Sequence, residues 1–502
     1  MLYCTQSCFL GFQTVKRWHP TAFHEPAIKK GRIRMNIQCL KEFNLGIHLE
    51  HVRSVSVNLG KDLGEGMVFV YSEAKDQDPW QEGFNYPKGT LKMAVYTMNG
   101  LPVWKRDLGW GAINGVWYTP FITFDLDGDG IDEIFLVNNH AEDRPFSLKG
   151  RVLERIDPLT GEVTGSWPWP ESVEELNMSH AYRFYIIGGY VHGQPVLVTA
   201  QGCYRDMYLQ AYNPNMEKRW EIMIPANDGG CRCCHSCPVL DFDEDGIDEL
   251  FWGERVISLD DGRELYCGDR GKYFGHSDIV LPFVDDETGK KYIFTCREDD
   301  ERPGVPRVVT YNEKGERVWI GADEEFGHMH HGWIANIGPD RRKVAMALRY
   351  GQRVFNGQKM EFREPEHFYF DAITGERLES PVPFVGSEYM PVDFNGDGYH
   401  EFYSSSGLAK QSGYIRDRFG NFAAYVGGTA ELIRSGKIID HPGEQIMVFY
   451  HDQGIVRVWG DADAVESDYF KKKFSHPYHT RIQHFMGTGY NHLYSRVTCA
   501  MT

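Results

Sequence analysis

The chain has 502 residues, is 42% hydrophobic and 14% aromatic, and carries a net charge of −18. That length exceeds one ordinary core and calls for several domains or a repeat. The excess of acid argues against a nucleic-acid partner, and no run of about 18 apolar residues offers a membrane span. Gly is abundant at 53 residues, beside 27 Tyr and 12 Trp, which favours short strands and tight turns over long helices.

Taken from its start, MLYCTQSCFLGFQTVKRW lacks a basic segment before its apolar residues and is a poor signal peptide. Residues 1–35 read as an N-terminal extension, poorly ordered or wrapped on the outside, and Met35 offers an alternative start. The cytoplasm is the favoured location, with secretion left open. From residue 36 a unit recurs: a turn, an apolar strand, a polar loop, then a hairpin. Its apolar strands lie near Val68, Ile134, Leu197, Phe251, Phe294, Ala345, Phe402 and Met447. The hairpins turn on NEKGE, DPLTGE or DAITGE, with period-2 alternation on either side. Two hairpins per unit of roughly 43 to 66 residues match a propeller blade. The expected fold is all-β, a single propeller over 36–502 with seven or eight four-stranded antiparallel blades. Seven follows if the first and last units are fragments of one blade. VESDYFKKKF is the best helix candidate, and HPYHTRIQHFMGTGYNHLYSR reads as closing packing or as a lid over a groove.

Three units open on an Asp-rich loop. Asp125, Asp127, Asp129 and Glu133 form the first, Asp241, Asp243, Asp245 and Glu249 the second, and Asp393, Asn395, Asp397 and Glu401 the third. The oxygen spacing suits Ca²⁺, while the same residues also make a tight turn by capping backbone N–H groups. Other units carry KKYI or RRKV at this place, so the loop is a turn device first.

Four of the 11 cysteines lie within Cys231–Cys237, too close for an ordinary disulfide framework, and suggest a metal site or reduced thiols. His235 and Cys237 share a face if the segment is a strand. His276 and Cys296 lie in the next unit, so His235, Cys237, His276 and Cys296 are expected to converge as a structural Zn²⁺ site. FGHMHHGW is a second His cluster, read as solvent-facing or hydrogen-bonded more readily than as a metal site.

Loops leaving the apolar strands carry His140 and Tyr204; Arg219 lies in the following hairpin, and His180, Tyr182 and Arg183 precede the third unit. A His, a Tyr and an Arg from adjacent blades suit β-elimination on a uronic acid. Arg neutralises the substrate carboxylate so that the C5 proton becomes acidic, and His and Tyr share the proton transfers to and from C5 and O4. Each residue alone has a plainer explanation in packing or solvation. A non-catalytic, Ca²⁺-stiffened binding propeller is the alternative. A glycoside hydrolase lacks a convincing carboxylate pair outside the turns.

The runs NHAEDRP, GGYVHGQPVLVTAQGCY, HSCPVLDFDEDGIDELFWGER, YFGHSD and TCRED resemble the propeller polysaccharide lyases, most of all the ulvan lyases of polysaccharide lyase family 25. The rhamnogalacturonan lyases of family 11 resemble the chain more distantly, through a His before a DxDGDGxDE loop and a GHGD-type motif, and they suit eight blades better. The resemblance implies a bound Zn²⁺ or Ca²⁺ and cleavage of a rhamnose–uronate linkage in a polysaccharide or oligosaccharide. It implies that His140 and Tyr204 transfer protons, and that Arg219, with His180, handles the carboxylate.

Overall fold

Hydrogen bonding groups the strands into eight four-stranded antiparallel sheets and one extra two-stranded hairpin. The computed structural model describes residues 33–79, 89–140, 150–170, 182–298, 305–321, 328–350, 352–354, 359–361, 366–379, 389–404, 413–427 and 430–490. The sheets are the blades of a propeller, numbered here in chain order. Their first strands are His51–Asn58, Phe121–Phe124, Phe184–Val191, Val239–Leu240, Ser277–Val284, His328–Asn336, Tyr389–Val392 and Ala430–Gly436. These inner strands are almost wholly buried, and the fourth strands alternate between buried and exposed, as expected for a wheel with a dry hub. Each apolar strand singled out in the sequence is the second strand of a blade, and Asp468–Ser475 is helical as expected.

Blade count and closure are settled together. The three C-terminal strands of blade 8 are completed by Ile37–Asn44, which pairs antiparallel with Ile455–Asp461. Phe43 is fully buried there, against Phe69 and Tyr96 of blade 1. The first strand therefore closes an eighth blade and does not merge two fragments into a seventh.

Neighbouring blades are tied by one recurring contact. The indole N–H of Trp104 on the fourth strand of blade 1 donates to Pro158 O in the last turn of blade 2, at 2.7 Å. Trp220 of blade 3 donates to Leu259 O of blade 4, and Trp319 of blade 5 to Ala372 O of blade 6. In each case the ring covers a turn glycine with φ near +74°: Gly161, Gly262 and Gly375. A Cβ there would fall 2.5–2.8 Å from the indole. These are the glycines of the DPLTGE, LDDGRE and DAITGE turns. Glycine is required both for the backbone angle and for the close approach.

Each blade is a meander, so its second strand ends, and its first strand begins, at one face of the wheel. This is called the upper face; the Asp-rich loops lie at the lower one. The C-terminal segment runs between them along the axis. Its helix docks at the lower face through Lys473–Glu444, and the residues that follow through Arg481–Asp248. Gln483, Gly487 and Thr488 then bond inner strands of blades 8, 1, 2 and 3. Tyr490 reaches the upper face, where its N–H donates to His235 O at 2.8 Å. As far as Tyr490 the tail thus packs along the axis; the rest of the stretch expected as closing packing or a lid lies outside the described residues.

The blade tie predicts non-additive stability losses. Trp220→Ala is expected to cost about 3–5 kcal/mol. Gly262→Ala, at its positive φ, is expected to cost about 1 kcal/mol or more. Denaturant unfolding of the double variant should show less than the sum of the two losses, because both remove one contact. Strict additivity would disprove the tie.

Candidate active site on the upper face

Asp278 is the second residue of the inner strand of blade 5 and has no exposed surface. Four imidazoles surround it. Its Oδ1 lies 3.1 Å from His235 Nδ1 and 3.2 Å from His276 Nε2. Its Oδ2 lies 2.5 Å from His328 Nε2 and 2.8 Å from His330 Nδ1. His276 and Asp278 are two apart at the start of a strand, as are His328 and His330 on blade 6, so each pair presents one side. Burial alone would raise the Asp278 carboxyl. The facing His328 and His235 imidazoles, with the hydrogen bond from His328, outweigh burial and hold it well below its usual range. Burial drives His235 the other way, well below the ordinary imidazole value, so it is neutral.

Tyr204 stands over this cluster at the end of the second strand of blade 3. Its hydroxyl is 3.4 Å from His235 Nε2 and 3.4 Å from His276 Nε2. Burial raises the phenol well above its usual value; the Arg183 charge opposes this without cancelling it. The turn that lifts Tyr204 depends on Gly202, at φ +94°, where a Cβ would sit 2.1 Å from Asp206 O. Cys203 and Cys233 form a disulfide that fastens the Tyr204 loop to the segment carrying His235. Beneath the phenol, the Arg183 guanidinium is stacked 4.5 Å from the Trp117 ring and 5.0 Å from the Tyr204 ring, and pairs with Asp78 at 3.4 Å. Tyr490 props the cluster from the axis, its ring centroid 5.0 Å from that of His235. Arg232 comes from the same segment as His235, and its Nε is buried without a hydrogen-bond partner. Arg205, next to Tyr204, is exposed.

The donor set fits a cation. His235, His276 and Asp278 bring ligand atoms within 4.8 Å of one another, and so do Asp278, His328 and His330. His235 Nδ1 and Asp278 Oδ1 are buried, face each other, and lack hydrogen-bond geometry to any partner. Two lone-pair atoms aimed at one point suit a metal better than they suit each other. Asp125, Asp127 and Glu133, and likewise Asp241, Asp243 and Glu249, gather at the lower face. There the Asp side chains cap backbone N–H groups, as at Gly128, Gly130 and Gly246, so the turn-making role is directly visible.

Of the residues expected from sequence, Tyr204, His235 and His276 converge. Cys237 and Cys296 do not join them, and Asp278 takes their place. The chain bends after Cys234, so the strand parity assumed for His235 and Cys237 does not apply; Cys237 Sγ turns to within 3.5 Å of Cys234 Sγ. Cys296 is paired with Ile279, and its Sγ turns towards His331 O and against Gly332. The expectation of metal-binding or reduced thiols is corrected at Cys203 and Cys233, whose partner lies 30 residues away. Arg219 is on the fourth strand of blade 3 near the lower face, where Asp260 and Asn213 hold its guanidinium; it is not at the site. His140 is on the upper face, with Nε2 2.6 Å from Glu154 Oε1. His180 lies outside the described residues. Asp278 is the omission; His328 and His330, of the second His cluster, are hydrogen-bonded to it. The repeated i, i+2 spacing of acid and His at two strand starts was the available signal.

Residues 177–380, which carry every member of this cluster, match the family described as rhamnogalacturonan lyase family 11, C-terminal domain. The chain is 27% identical over 348 residues to the rhamnogalacturonan exolyase YesX of Bacillus subtilis, covering 61% of this chain and 55% of that protein. It is 26% identical over 285 residues to the endolyase YesW of the same organism, covering 51% and 43%. The chain thus spans about half the length of the curated relatives it matches. The crystal structure of exotype YesX superposes with a TM-score of 0.69 at 18% identity, over 89% of this chain and 80% of that one, and shares the fold.

Peptide mapping without reduction should recover Cys203 and Cys233 as one linked species. Recovery of both as alkylated thiols from protein kept in air would contradict the bond.

Proposed function

We propose that this chain is a polysaccharide lyase acting on rhamnogalacturonan, cleaving the rhamnose–galacturonate linkage by β-elimination. The observation that carries the reading is the Tyr204 hydroxyl, poised 3.4 Å from each of two imidazoles at the upper face. The family match and both curated relatives support rhamnogalacturonan over the ulvan expected from the motifs.

The chemistry needs a neutralised carboxylate, a base at C5 and a proton for O4. Arg232 and Arg205 flank Tyr204 and supply positive charge for the carboxylate. Arg is suited because it stays charged and binds carboxylate oxygens in pairs. The Tyr204 hydroxyl is the group that reaches the sugar, donating its proton to the departing O4. With its Nδ1 lone pair facing the cation site, neutral His235 carries its proton on Nε2 and donates it to the Tyr204 oxygen, so that a phenolate formed there takes the C5 proton and the resulting phenol delivers it to O4. A cation held by His235, His276 and Asp278 would add positive charge beside the same carboxylate. The disulfide supports an oxidising compartment, against the cytoplasmic expectation.

Incubation with rhamnogalacturonan should yield an unsaturated uronate, read by its near-ultraviolet absorbance. Tyr204→Phe should lower kcat by about 10²–10⁴-fold while the fold is retained. Arg232→Ala should raise KM with a smaller effect on kcat, and Arg232→Lys should not restore it. Full activity of Tyr204→Phe, or preference for ulvan over rhamnogalacturonan, would refute the reading.

A further inference from the structure

Asp278 belongs to both ligand groups, and its two oxygens are divided between them. Oδ1 faces His235 Nδ1 and His276 Nε2; Oδ2 faces His328 Nε2 and His330 Nδ1. We propose that Asp278 bridges two transition-metal ions, one held with His235 and His276, the other with His328 and His330.

On the Oδ1 side, and between His328 and His330, the spacings are those of ligands around an ion; the Oδ2 contacts, at 2.5 and 2.8 Å, are hydrogen-bond lengths. An ion about 2.1 Å from its donors sets neighbouring donors about 3.0–3.4 Å apart. The Oδ1 contacts are 3.1 and 3.2 Å, and His328 Nε2 to His330 Nδ1 is 3.2 Å. Hydrogen bonding does not account for the Oδ1 side. Oδ1 and His235 Nδ1 are both without hydrogen-bond partners in a residue pair at most 5% exposed. A buried carboxylate oxygen left unsatisfied is costly, and an ion would remove that cost.

Glu298 ties the two halves. Its Oε2 is 2.7 Å from His276 Nε2, and its Oε1 is 3.1 Å from His328 Nδ1. The second contact is the outer-nitrogen bond that orients a metal-bound imidazole. Four nitrogens against few oxygens select Zn²⁺ or another imidazole-binding transition metal over Ca²⁺. Ions bridged by one carboxylate sit about 3.5–4 Å apart. The ion at His328 and His330 is the more open one, since those side chains are 18% and 30% exposed. That position would take a carboxylate of the polymer, a role that rests on the lyase reading; the number of ions does not.

The test is metal content after chelation and reloading with Zn²⁺ in excess Ca²⁺, which keeps the lower-face Asp loops occupied by Ca²⁺. Wild type should bind two zinc equivalents per chain. His328→Ala/His330→Ala and His276→Ala should each retain one, and Asp278→Asn should lose tight binding of both. Near-ultraviolet circular dichroism checks that each variant is folded, and His330→Ala alone serves if the double variant is not. Co²⁺ replacing Zn²⁺ should give absorption bands that halve in the one-site variants. One equivalent or none in wild type, or two equivalents unaffected by the His substitutions, would overturn the proposal. Since the readout is ion content, loss of lyase activity with two ions present would refute the lyase reading alone.

Discussion

The structure depends on how each blade is held to the next. The outer-strand indole of one blade lies on the turn glycine of its neighbour and donates to a carbonyl beside it, at three places around the ring. Tyr266 lies on Gly315 in the same way between blades 4 and 5. A ring edge in that position leaves no room for a Cβ, so the angular step between blades is set by a steric limit and not by soft apolar packing. With the outer edges fixed, the inner strands are forced side by side. The upper ends of blades 3 to 6 then deliver Tyr204, His235, His276, Asp278, His328 and His330 to one place.

The hub poses a separate problem. Arg53 and Arg434 lie on the inner strands of blades 1 and 8 and are fully buried; burial pulls their pKa values down to about 10 and about 9. A buried guanidinium needs acceptors for its N–H groups. The C-terminal segment provides them: Gly487 O for Arg53, and Gln483 O and Oε1 for Arg434. The tail is therefore required by the hub's polar groups as well as by its volume. The same segment carries Tyr490, whose ring contacts Trp117 and His235 and whose hydroxyl donates to Asp78, the partner of Arg183. Filling the axis and building the floor of the site are one act of packing.

Much of the fold was legible in the sequence because its signals are local. Period-2 apolar runs and Gly-bearing turns identify second strands and hairpins one unit at a time, and eight such runs became eight blades. The Asp loops were legible as turns for the same reason. What could not be read depends on distant or irregular geometry. The bend at His235 voids a parity argument that needs a continuous strand. The Cys203–Cys233 bond joins residues 30 apart through the gap between two blades. Arg219 looked available because its partner, Asp260, comes from the next blade. Asp278 was overlooked because an Asp beginning an apolar strand reads as a solvated end, yet the ring buries it completely.

That burial explains why Tyr204 is held where it is. A carboxylate without water must be matched by donors or cations from every side, and four imidazoles from three segments are committed to that task. Their remaining nitrogens are then fixed in direction. His235 Nε2 is one of them, and it converges with His276 Nε2, which also faces Asp278, on a single phenol oxygen. Arg183 beneath the ring is immobilised between Trp117 and Tyr204, and the disulfide anchors the loop from its other side. The phenol therefore reaches the open face with little freedom to rotate away, its direction set by the cost of hiding one acid; on the proposed lyase reading, that is the preorganisation a proton-transfer group needs.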